Sequence, residues 1–73
     1  MNDKEMLKQD LMDKRMTLAM LLFNNEDSLS DEEKLEVDIS IRNSHLHARN
    51  ENLELAMACV ESGISKLESL NNG

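Results

Sequence analysis

The residues in this 73-residue chain whose types could do chemistry are His45, His47, Glu51, Cys59 and six methionines. Two imidazoles two positions apart on a helix diverge by about 200°, so they cannot grip one metal ion, although the same pair on a strand could. His47 and Glu51, four apart, share a helix face, but two ligands make a weak site. Cys59, between Ala58 and Val60, reads as a small core hydrophobe and not as an activated thiol. The methionines read as adaptable packing, or as a plastic surface that repacks around a partner. No catalytic, cofactor-binding or metal-ligating set is expected, because a general base or nucleophile needs a shaped pocket to hold it and a small helical chain offers little concavity.

The composition narrows the class further. Fifteen acids against eight bases give a formal charge of −7, and Phe23 is the lone aromatic. Direct nucleic-acid binding is disfavoured, since it needs cations against phosphate and often aromatic stacking surface. The charge is uneven: Glu26, Asp27, Asp31, Glu32, Glu33, Glu36 and Asp38 against Lys34 place −6 of it between residues 26 and 38. Acids in a first helical turn complement the helix dipole, and an acidic tip can also steer the chain towards a basic protein surface. The longest run without charge, 16–25, is about ten residues, half of a membrane span. The first eight residues lack the apolar core and cleavage site of a secretory signal, so the expectation is a soluble, cytoplasmic protein without a leader. One cysteine agrees with a reducing compartment.

The elements that must carry these residues are helices, because Pro is absent and Gly63 and Gly73 are the sole glycines. The first helix is predicted over about 3–24, with Asn2 and Glu5 as a weak cap. Leu7, Leu11, Leu18 and Leu22 form one apolar stripe; Met12, Met16, Ala19 and Phe23 form a second about a quarter-turn round, with Lys8 and Arg15 between them. Arg15 reads either as a stem lining the seam or as an interface anchor. Phe23 is expected to be buried.

A polar turn follows at about 25–30, and Ser30-Asp31-Glu32-Glu33 has the form of a capping box, so a helix should start there. Leu29 stands where a hydrophobic staple begins, but its partner position is Lys34. The second helix is predicted over about 31–70, with 71–73 frayed, because Ile39, Leu46, Leu53, Val60 and Leu67 recur every seven residues as a coiled-coil seam. The companion heptad position carries Leu35, Arg42, Arg49, Ala56, Gly63 and Leu70; Arg42 and Arg49 are expected to snorkel, to pair with Asp10 or Asp13, or to mark a docking site. A thinner row, Val37, Ile41, Ser44, Ala48, Asn52, Leu55 and Cys59, lies on an adjacent face. Gly63 marks a close helix approach or early fraying. Alternation over Leu35–Ile41 allows a strand as the rival, and Arg42-Asn43-Ser44 could break the helix and make three helices of two.

The expected fold is thus all-α: an antiparallel helical hairpin, with three helices if the second breaks near Asn43. A second helix of about 60 Å against a first of about 30 Å would leave half its length unpaired, so completion by a second copy or a partner helix is expected. The residues expected at that interface are Leu7, Leu11, Met12, Arg15, Met16, Leu18, Leu22, Phe23, Ile39, Leu46, Arg49, Leu53 and Val60. In length and layout the chain resembles small helical regulators such as plasmid copy-number proteins and type III secretion co-chaperones. The chain is read as a stoichiometric adaptor, co-chaperone or inhibitor from a bacterium or phage, with a protein as partner. Its charge and hydropathy point away from direct nucleic acid and membrane, and no cofactor is expected. The alternative is an acidic mimic whose 26–38 cluster occupies a basic surface that otherwise holds nucleic acid.

Overall fold

The computed structural model describes residues 3–72, which form an all-α fold of three helices. Helix α1 spans Asp3–Asn25, a short 3-10 turn covers Glu26–Ser28, α2 spans Asp31–Arg49 and α3 spans Leu53–Asn72. There is no strand among the described residues, and Leu35–Ile41 is helical. Asn2 and Gly73 lie outside the described residues, and with them the proposed first cap and the end of the expected fraying; α3 itself continues through Asn72.

The capping box forms as read. Glu33 N–H donates to Ser30 Oγ at 3.2 Å, and Ser30 N–H donates to the Glu33 carboxylate at 2.8 Å, so two of the orphan amides at the start of α2 are satisfied. Upstream, Asn25 Nδ2 donates to the Leu21 carbonyl at 2.7 Å and closes the last turn of α1. Leu29 is buried in the core without needing the staple partner.

The long second helix is corrected. It breaks at Asn50-Glu51-Asn52, not at Asn43, and the two halves fold back on each other as α2 and α3. The break is a Schellman-type turn: Glu51 N–H donates to the Ala48 carbonyl at 3.0 Å and Asn52 N–H to the His47 carbonyl at 2.8 Å. Glu51 sits in the left-handed region with φ 62°, a place that glycine usually takes. Lys4 at the start of α1 reaches this turn and pairs with Glu51 at 3.1 Å.

The break also changes which row is buried. The heptad row is used in α3, where Leu53, Val60 and Leu67 are in the core, but in α2 its members Ile39 and Leu46 face out. The thinner row supplies the core face of α2, through Val37, Ile41, Ser44 and Ala48. A seven-residue repeat continues through a turn as arithmetic, but each helix turns its apolar face towards its own neighbours.

Helix α3 packs on both α1 and α2, while α1 and α2 touch each other only slightly. The Lys4–Glu51 pair sets the start of α1 beside the end of α2, and a Lys66–Glu36 pair sets the end of α3 beside the start of α2, so the chain runs up, down, up. Gly63 lies where the three helices converge: a Cβ there would stand 3.1 Å and 3.2 Å from the Leu18 methyls and 3.6 Å from Ser40 Cβ. Gly63 therefore serves close approach, and α3 does not fray after it. The molecule measures 40 × 19 × 16 Å, so the lopsided hairpin with half a helix unpaired does not occur.

Candidate functional site

Helix α1 carries apolar residues almost all the way round, and the three-helix fold covers one of its two stripes. Leu11 and Leu18 are buried and Leu7 and Leu22 partly so, whereas Met12, Met16, Ala19 and Phe23 stay exposed. Phe23, expected inside, is 77 % exposed, and Met16 is 65 % exposed. The reason is architectural: α3 occupies the α1 face centred on Leu11 and Leu18, and α2 stands too far off to close over the second stripe.

What results is an open groove between α1 and α2. Ala19, Leu22 and Phe23 line its wider end, of about 410 Å³, with Ile41 opposite and Glu26, Lys34 and Asp38 at the mouth. Its middle is formed by Arg15, Met16, Ala19, Ile41 and His45. At the other end Lys8, Met12 and Arg15 face Ala48, with Leu11 and Leu53 beneath. The groove is lined mostly by carbon, with basic groups at one end and two carboxylates and one ammonium at the other.

Arg15 bridges the two walls. Its Nε donates to Ser44 Oγ at 3.3 Å and a terminal nitrogen to the Ser44 carbonyl at 3.4 Å. Ser44 is fully buried, and a small side chain there gives the guanidinium stem room to cross. Arg15 thus lines the groove and ties α1 to α2. Arg42 pairs within its own helix, to Asp38 at 3.0 Å, and not with Asp10 or Asp13. Arg49 is exposed in the last turn of α2.

Of the residues expected to meet a partner, Leu11, Leu18, Leu53 and Val60 are corrected: they belong to the chain's own core. Met12, Arg15, Met16, Leu22 and Phe23 come together at the groove. Ile39 and Leu46, with Leu35, lie on the opposite side of α2 from Val37 and Ser44, apart from the groove. Sequence reasoning missed Ile41 and His45 as groove residues. The signal for Ile41 was present in the thinner row and its three-four spacing, but the stronger heptad row masked it; His45, four residues on from Ile41, reads in sequence only as a candidate metal ligand.

The other chemical candidates separate. His47 and Glu51 do not share a helix face, because α2 ends at Arg49 and Glu51 turns away to Lys4. The Lys4 ammonium, through its hydrogen bond and then its charge, holds the Glu51 carboxyl below its ordinary value. No group of three or more His, Cys, Asp or Glu side chains that could hold a metal ion occurs among the described residues. Cys59 is half-buried on α3.

Three acids of the 26–38 cluster have structural partners: Glu33 in the capping box, Glu36 with Lys66, and Asp38 with Arg42. Glu26, Asp27, Asp31 and Glu32 present exposed carboxylates around the turn between α1 and α2. No helix among the described residues is long and apolar enough to cross a membrane. No family model, curated protein or solved structure matches the chain.

Proposed function

We propose that this chain is a non-enzymatic protein-interaction module that receives an apolar helix in the groove between α1 and α2. The observation that carries the reading is the exposed row Met12, Met16, Ala19 and Phe23 facing Ile41 and His45 across an unfilled cleft. Contiguous exposed apolar surface rimmed by charge is the mark of an interaction site, and a fourth helix is what completes a bundle of this shape. Unbranched methionines suit a surface that must adapt to what fills it. The module acts by occupancy, as an adaptor, co-chaperone or inhibitor does, and its acidic end adds long-range steering towards basic surfaces.

The test is a titration of isotope-labelled chain with a synthetic amphipathic helix carrying leucine at heptad spacing. The expected result is amide shifts concentrated at Met12, Met16, Ala19, Phe23, Ile41 and His45 and abolished by Met16→Glu. Shifts confined to Leu35, Ile39 and Leu46, or none at saturating peptide in a sample that light scattering shows to be monomeric, would overturn the reading.

A further inference from the structure

The same groove indicates its occupant. Resting on the reading above, we infer that the helix filling it is α1 of a second copy of this chain, packed antiparallel about a two-fold axis that passes between Thr17 and Leu18. Four features converge on a second copy.

The first is spacing. Met12, Met16, Ala19 and Phe23 are separated by four, three and four residues, a seam that reads the same from either end. Run antiparallel against itself, it sets Met16 over Ala19 of the second copy and Met12 over Phe23 of the second copy. The second feature is shape, since the small Ala19 leaves room for the long Met16 twice about the axis. At the flanks, a thioether meets an aromatic ring, a favourable contact. One isologous patch therefore supplies both knob and gap, as two-fold symmetry requires.

The third feature is charge along the groove. Lys8 stands at one end, Arg15 lies between that end and the middle, and Glu26 and Asp38 outweigh Lys34 at the other. An antiparallel copy lays the basic end of each groove against the acidic end of the next; a parallel copy would stack like on like. The fourth is the distribution of net charge, because −6 of the total −7 lies in residues 26–38 at one end of the molecule. Antiparallel pairing sends the two acidic ends to opposite poles. The assembly buries α1, α2 and their copies as a four-helix layer, with Ile41 and His45 as the second wall and α3 outside on each side.

The first measurement is solution mass by light scattering at about 100 µM, some hundredfold above a micromolar Kd. The expected mass is twice the 8.3 kDa of the chain, falling by half in Met16→Glu and in Phe23→Glu with circular dichroism unchanged, since both side chains are exposed. Leu46→Glu, on the back of α2, should leave the dimer whole. Orientation is read by pulsed spin-label distances in a Cys59→Ala background, using Asp10→Cys and Asn24→Cys. On antiparallel helices two labels at 10 are about 22 Å apart along the axis and two at 24 about 20 Å, while a mixed 10–24 pair differs by about 1.5 Å. Short 10–10 and 24–24 distances would overturn the antiparallel pairing, and a dimer broken by Leu46→Glu but not by Met16→Glu would overturn the face. A monomer that still binds the heptad peptide in its groove would overturn the second copy as occupant while leaving the proposed function standing; a monomer that binds nothing would remove both.

Discussion

Glu33 shows how much a single side chain does at the start of α2. Its carboxylate accepts the Ser30 backbone N–H and lies within reach of the Ser30 hydroxyl, and these contacts hold its pKa below the ordinary 4.5. A carboxyl whose folded pKa is depressed contributes stability that is fully present above the unfolded value and is lost as pH falls through the folded one. Carbon-detected titration should therefore give a Glu33 midpoint below 4.5. The stability advantage over Glu33→Gln should shrink as the solution is acidified past that midpoint. A midpoint at or above the ordinary value would show that the box does not form in solution. Arg15 makes the opposite kind of contribution: its charge sits at the groove, but its stem and its two bonds to Ser44 hold α1 to α2.

Among the elements, the α2–α3 turn governs the architecture, and it stores a conformational cost at Glu51. A non-glycine residue in the left-handed region costs about 1–2 kcal/mol, and glycine gives back part of that through the entropy of its unfolded chain. Glu51→Gly should stabilise the fold by roughly 0.5 kcal/mol and raise Tm by about 2–4 °C. The Lys4 pair is exposed on both sides, so its loss subtracts little. A fall in Tm would mean that the pair, and not the Schellman geometry, holds the turn. The same element explains a failure of sequence reading: without glycine at the left-handed position the stop signal was weak, and what marked it was the Asn50-Glu51-Asn52 cluster, where asparagines favour turns and caps.

For the molecule as a whole, two sets of apolar residues that look alike in sequence behave differently. Leu18 is fully buried against α3, and Leu18→Ala should cost about 2–5 kcal/mol, a large share of what so small a domain has to lose. Leu53→Asp should abolish the fold itself, because it places an unpaired charge in the core. Both should appear as lost far-ultraviolet helicity and a lowered or absent melting transition, in contrast to the retained helicity of Met16→Glu. Full helicity in Leu53→Asp would mean that the core is elsewhere.

The sequence by itself determined that this protein is helical, where α1 ends and where α2 begins, because these follow from local chemistry: no proline, two glycines, a capping box and three-four apolar spacing. It also showed that α1 has more apolar surface than one neighbour can cover. Only the tertiary structure decided which stripe is spent on the core. Packing selects among faces by what stands opposite, and α3, freed by a turn with no glycine signal, takes the Leu11–Leu18 face and leaves the Met16–Phe23 face open. The groove could not be read beforehand for the same reason, since its far wall, Ile41 and His45, exists only once α2 has turned Val37 and Ser44 inward.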